Sequence, residues 1–168
     1  LTLTISGFLF NNFFLDKKDT KNFEENGLLG CIFVGFIALL INFFYPLNTF
    51  INNIFFILII FFGYKLKYFD QKKLKLLKNI FFSSLIAYIF IIYSNVNRPD
   101  ALLYHLPYSK IINEDKIIIG LTNLHSRFGH ISIYQYVSSF YVNSFFSSNG
   151  VLIPISLVPS FFFIYCYK

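Results

Sequence analysis

Both arginines and all three histidines of this chain, Arg98, Arg127, His105, His125 and His130, fall within residues 98–130. The same stretch carries Asp100, Tyr104, Tyr108, Lys110, Glu114 and Asp115. A carboxylate within hydrogen-bond reach can take a proton from an attacking hydroxyl. Guanidinium and ammonium groups stabilise a phosphate leaving group, and arginine can do so in a bidentate way. Histidine can orient a phosphate or assist proton transfer near neutral pH. These residue types could take up a proton and bind an anion, and Asp100, Arg98, Tyr104, His105, Lys110, His125 and Arg127 are the candidates for a site.

Each residue also fits a plainer role. Asp100 suits the N-cap of a surface helix. Tyr104 and Tyr108 suit interfacial aromatic anchors. The histidines could hydrogen-bond loop carbonyls, and Glu114 and Asp115 suit a solvated surface. No cofactor is expected, and a divalent metal is left open. His105, His125 and His130 match no compact zinc-ligand spacing.

What must position these residues is a membrane scaffold. The chain is 56% hydrophobic and 22% aromatic, only 13% is charged, and the mean hydropathy is +0.61. A soluble domain carries about 25% charged residues. The composition therefore predicts an all-α polytopic bundle of about five transmembrane helices, at about 20 residues for each span. The expected spans are 28–47, 50–64, 80–96, 131–146 and 151–167, with a tight turn at Pro46 and Asn48. Gly30 and Gly35 would allow close helix packing inside the first. Residues 1–27 are a partial apolar segment followed by a polar connector. The chain contains no Met and ends in an apolar run, so the sequence is expected to be the N-terminal part of a larger protein. Cys31 and Cys166 lie in apolar runs and form no CxxC pair, and the plain expectation is two small buried residues.

The net charge of +6 is concentrated where a membrane protein would place it, which argues against a nucleic-acid surface. Lys65, Lys67, Lys72, Lys73, Lys75 and Lys78 face only Asp70 in the short segment 65–79, expected as a cytoplasmic loop. By alternation, residues 98–130 lie on the opposite face, and residues 131–168 hold two further spans.

The external stretch is 33 residues long. Connections beyond about 12–15 residues are commonly functional or disordered, and this one is too rich in Leu, Ile and Tyr for disorder. Its first half can form a surface helix, with Pro99 in the first turn. Asp100, Tyr104 and Tyr108 would share one face, and Leu102, Leu103 and Leu106 the other. Pro107 is expected to kink or end that helix. Glu114 to Lys116 form a polar break, Ile117 to Ile119 re-enter apolar surroundings, and Gly120 and Asn123 signal a turn.

The run Asp100-Ala101-Leu102-Leu103-Tyr104-His105-Leu106-Pro107 resembles the D-x-x-x-Y-H-L-P motif in the first external loop of GT-C superfamily glycosyltransferases. The longer pattern continues with Gly120-Leu121-Thr122-Asn123-Leu124-His125-Ser126-Arg127-Phe128-Gly129. It resembles a bacterial multi-spanning family of unknown function, with Y-H-L followed by G-L-x-N-L-H-x-R-F-G. The resemblance covers residues 98–130 well and 28–150 loosely. It implies transfer of a sugar from a polyprenyl-phosphate donor to a glycan, lipid or protein acceptor, at the periplasmic face of a bacterial inner membrane. It implies membrane lipid and the lipid-linked sugar as partners, with no nucleic acid. It also places the catalytic role on Asp100. Many GT-C enzymes carry a paired acidic motif, whereas a single Asp stands here. The alternative expectation is a non-enzymatic transporter or assembly subunit for lipid-linked glycans.

Overall fold

The long apolar runs of this chain all contribute to helices. The computed structural model describes residues 1–15, 22–66, 68, 71–93, 101–129 and 132–167, and every regular element among them is helical. In order these are α1 (Thr2–Phe14), α2 (Phe23–Asn42), α3 (Thr49–Lys65), α4 (Gln71–Tyr93), α5 (Leu106–Glu114), α6 (Ile133–Phe140) and α7 (Ile153–Tyr167). A π-helical turn spans Ala101–His105, and 3-10 turns span Leu121–Asn123, Ser126–Gly129 and Ser147–Leu152. The chain is all-α, as its composition implies.

Among the described residues, three stretches are long and apolar enough to cross a membrane: Phe23–Asn42, Leu74–Tyr93 and Ser147–Tyr167. α3 is apolar but shorter, at 17 residues, or about 25 Å of helix. Residues 131–146 do not supply a further span among the described residues, because α6 has only 8 residues, about 12 Å against the roughly 30 Å of a hydrocarbon core. Asn143 turns the chain shortly after α6. Its Oδ1 accepts the backbone N–H groups of Phe145 and Phe146 at 3.0 and 3.2 Å.

Several element boundaries also shift from expectation. α2 begins at Phe23 and takes Glu24 and Glu25 into its first turn, where acidic groups complement the positive end of the helix dipole. α4 begins at Gln71, so Lys72, Lys73, Lys75 and Lys78 belong to a helix and not to a linker. Lysine and leucine are both good helix formers, which lets the charged segment continue the helix. Pro107 sits in the first turn of α5, directly after the π-helical turn Ala101–His105, so the first helical segment ends and the helix changes type at this proline.

The expected close packing at glycine is present. A Cβ on Gly30 would overlap the Leu3 carbonyl, and one on Gly7 the Asn26 carbonyl, so α1 and α2 cross backbone to backbone. A Cβ on Gly35 would press on Ile133 of α6.

Side-chain contacts give the helices two common ends. At one, Phe23 stacks on Tyr68, between α3 and α4, with ring centroids 6.3 Å apart. The Phe161 ring of α7 lies directly on Gly27 there. At the other end, Nδ2 of Asn52, in the first turn of α3, donates to the carbonyls of Ser139 and Val142 at 2.9 and 2.8 Å. Phe56 packs on Phe140, Phe145 and Phe146 at 6.3, 5.3 and 6.0 Å. Ser83 donates to Ser160 at 2.9 Å, and Tyr88 shares a cavity with Ile153, so α7 runs antiparallel to α4. The lysine-bearing α3–α4 junction therefore sits with the start of α2 and the later turns of α7. The α2–α3 turn and residues 139–153 sit at the opposite end. Two apolar cores follow this division, one inside the bundle around Val34, Ile59, Val137, Phe140 and Phe161. The other lies at the second end, around Ala38, Leu47, Tyr108, Ile112, Leu121 and Tyr136.

Candidate functional site

The segment 101–129 is docked on the bundle end away from the lysine-bearing junction. Backbone hydrogen bonds fix it there: Leu47 N–H donates to Ile112 O at 2.9 Å, and Ile117 N–H donates to Asn42 O at 2.9 Å. The buried Asn42 amide reinforces the seam by donating to Ile112 O and Asp115 O at 3.2 and 3.0 Å. Ser139 of α6 donates to Ser109 O at 3.4 Å. A helix terminus leaves its last carbonyls unpaired, and here the ends of α2 and α5 satisfy one another's polar groups.

Tyr108 belongs to this seam and is not an exposed interfacial anchor. It is buried beside Tyr136, to which its hydroxyl is hydrogen-bonded, and its ring centroid lies 5.9 Å from that of Phe128. Burial pushes the Tyr108 hydroxyl above the ordinary phenol range, and the Tyr136 hydrogen bond partly offsets this. Gly120, with φ 88°, takes the left-handed conformation of the turn expected there; only glycine adopts it without strain.

Four of the expected binding residues gather around the rim of this docked segment. The Arg127 guanidinium carbon lies 5.1 Å from the Tyr104 ring centroid, a distance at which the ring quadrupole attracts a cation. The Tyr104 and His105 rings are 4.2 Å apart, and the His125 ring lies 5.6 Å from Phe128. Tyr104 and His105 come from the π-helical turn, a wider turn than α that recurs at functional sites. Lys110 stands apart. It pairs with Glu114 at 3.7 Å, with side chains 72% and 62% exposed, and a pair so open contributes little.

The hydrogen bonds also favour one tautomer for each of two histidines. Gln135 forms a capping box with Ser132, and its Oε1 accepts the Ser132 N–H at 3.1 Å. Its Nε2 must therefore be the atom that faces His105 Nδ1, at a long 3.4 Å. That nitrogen accepts, so neutral His105 carries its hydrogen on Nε2. Likewise His125 Nδ1 accepts the Arg127 N–H at 3.2 Å, which leaves its hydrogen on Nε2. Both imidazoles are thus held as Nε2–H donors, the tautomer able to donate a hydrogen bond to an anionic oxygen.

Arg98, Asp100 and His130 lie outside the described residues. The π-helical turn begins at the residue after Asp100. Among the described residues, no three His, Cys, Asp or Glu side chains gather to hold a metal ion. Cys31 is buried and Cys166 exposed, and both are free.

Three residues of the seam were missed in the sequence. Asn42 had a weak signal, an amide at the end of an apolar run. Gln135 had a better one, since Ser132-x-x-Gln135 is a capping-box pattern. Tyr136 had none. Glu24 was also missed: it was assigned to a polar connector, yet it is 1% exposed within the first turn of α2. Two cavities accompany the site. One of about 330 Å³ lies beneath the seam, lined by Asn42, Tyr108, Ile112, Lys116, Leu121 and Phe128 among others. The other, of about 400 Å³, opens between α4, α7 and the start of α1.

A family model described as a domain of unknown function (DUF8201) matches residues 1–168. The match is consistent with an uncharacterised family and carries no information on the expected motif or the glycosyltransferase likeness. No curated protein and no solved structure matches the chain.

Proposed function

The chain belongs to the DUF8201 family, and we propose that it is an integral membrane, glycosyltransferase-like protein of GT-C type. It would move a sugar from a polyprenyl-phosphate donor to a glycan, lipid or protein acceptor at the external face of a bacterial inner membrane. The observation that carries this reading is the placement of Arg127, Tyr104 and His105 on one docked segment, at the bundle end opposite the lysine-bearing junction. Cytoplasmic loops carry the excess of lysine, so the docked segment faces the periplasm. That is where a lipid-phosphate sugar at the outer leaflet could meet it.

In the reaction, the acceptor hydroxyl oxygen attacks the anomeric carbon while the bond from that carbon to the phosphate oxygen breaks. The hydroxyl proton passes to the Asp100 carboxylate, and polyprenyl phosphate leaves with the bonding pair. Arg98 and Arg127 offset the charge developing on that phosphate, and His105 and His125 donate to its oxygens. The test is transfer of a labelled sugar by the full-length protein in its membrane. Asp100→Asn should lower the rate by about 100-fold or more, the scale of a general base. Unchanged transfer would remove Asp100 from the chemistry.

One observation favours the alternative, a non-enzymatic transporter or assembly subunit for lipid-linked glycans. Glu24 is a carboxylate buried within a candidate span, the setting in which ionisable groups mark transport paths. Loss of glycan translocation in Glu24→Gln, with Asp100→Asn silent, would favour it.

A further inference from the structure

Ile32, Phe36, Leu40 and Phe43 of α2 and its C-cap recur at intervals of four, four and three residues, and each is about half exposed. This spacing defines one helical face. On a helix apolar enough to span a bilayer, that face is the one presented to lipid. The stripe continues past the helix end with Phe44 and Tyr45, both largely exposed, as in the aromatic belt of a membrane interface.

The docked segment is fixed at the level of the stripe's upper end. Ile117 N–H donates to the carbonyl of Asn42, one residue before Phe43. That hydrogen bond sets Ile117 at the height of the last turn of α2. The chain then runs outward through Ile118 and Ile119, which are 43% and 96% exposed, and is turned back by Gly120 in the left-handed region. Three consecutive isoleucines carry no charge, while the charged Glu114, Asp115 and Lys116 immediately precede them. An isoleucine 96% exposed beside two further apolar residues gains by leaving water.

We infer that Ile118 and Ile119 form a membrane anchor that inserts the tip of the docked segment into the lipid interface, at the level where α2 ends in exposed aromatic residues. The occupant is lipid because the apolar tip stands at the level where a span-length helix ends in exposed aromatic residues, a height fixed by a backbone hydrogen bond. The anchor gives the segment two attachments, one to the bundle through Asn42 and one to the bilayer through Ile119. The seam carrying Arg127, Tyr104 and His105 is then held at a set height above the bilayer. This inference does not depend on what reaction, if any, those residues perform.

The test uses the full-length protein, with Cys31 and Cys166 replaced by serine, reconstituted in phospholipid vesicles. An environment-sensitive fluorophore is attached through Ile119→Cys, and in separate preparations through Leu40→Cys and Glu114→Cys. Quenching by a lipid spin-labelled near the headgroup is compared with quenching by aqueous iodide. The expected result is a lipid-to-iodide quenching ratio at position 119 nearer that at position 40 than that at position 114. A ratio matching position 114 would show a tip in water and overturn the anchor. Shielding from both quenchers would show a protein partner, or another part of the protein, covering the tip, and would also overturn it. Should the label at 119 prevent recovery of folded protein, Ile118→Cys gives the same comparison.

Discussion

The two ends of the helical bundle are built in different ways. At the lysine-bearing end, helices meet side chain to side chain: Gly7 and Gly30 let α1 and α2 touch, Asn11 Nδ2 donates to Asn26 Oδ1 at 2.7 Å, Phe161 covers Gly27, and Phe23 stacks on Tyr68. At the opposite end, beside the Phe56 ring cluster, side-chain amides reach backbone carbonyls. Asn42 and Asn52 are each 1% exposed, and each donates to carbonyls far away in the chain. The difference follows from what each end must hold. Packed helices within a bilayer need only close contact, because their backbone groups are already paired. An irregular segment docked on helix ends brings carbonyls that have no partners of their own, and buried asparagines supply the missing donors.

This contrast can be broken at either end. The largest effect is expected from Gly30→Val, which forces a side chain into the Leu3 carbonyl. It should destabilise the bundle by about 3 kcal/mol, read as a lower unfolding temperature in detergent with α1 released. Next comes Asn42→Leu. It leaves the Ile112 and Asp115 carbonyls without the amide donor, at a cost of about 2 kcal/mol. Hydrogen exchange should quicken in residues 108–117 and stay unchanged in α4. A uniform loss of protection would mean the two ends do not behave as separate units.

Gln135→Leu sharpens the comparison within the docked end. It removes the acceptor for Ser132 N–H and the donor to His105, a loss of about 1 kcal/mol by analogy with other helix caps. Its signature is a change in the His105 ring-nitrogen chemical shifts as the tautomer is freed, with those of His125 unmoved. Tyr108 supplies a pH dependence. Burial holds its hydroxyl above the usual phenol range, so the neutral form is favoured when docked. Docking is fully supported below the unfolded phenol value of about 10 and is lost as pH rises through the folded value. Tyr108→Phe should reduce that alkaline dependence. The smallest effect is Lys110→Ala, where an exposed pair contributes about 0.5 kcal/mol or less.

Much of the scaffold was legible because apolar runs of sufficient length leave few alternatives. The runs that became α2, α3, α4 and α7 were all visible. Their boundaries were not, since glutamate and lysine at Glu24 and Lys72 look like connector residues but are good helix formers. Residues 131–146 were misread for a related reason. Hydropathy counts Ser138, Ser139 and Asn143 as minor interruptions of a span, whereas Ser139 and Val142 present carbonyls to Asn52, and Asn143 turns the chain.

The site was legible in part. Residue chemistry singled out Arg127, Tyr104 and His105, which the fold brings into a row through ring and cation contacts. It also singled out Lys110, which pairs with Glu114. What no pattern revealed was the supporting seam, because Asn42, Tyr108 and Tyr136 meet only through contacts between residues distant in the chain.

The most direct test of the account is the sidedness of the two ends in the full-length protein. Cys31 and Cys166 would be replaced by serine, and single cysteines introduced by Ser126→Cys at the docked end and Lys75→Cys at the lysine-bearing end. Both positions are exposed. A membrane-impermeant maleimide applied to intact cells should label the first and reach the second only after the membrane is breached. Labelling of both from outside, or of position 75 alone, would contradict a bundle that holds its docked segment on the face away from the lysines.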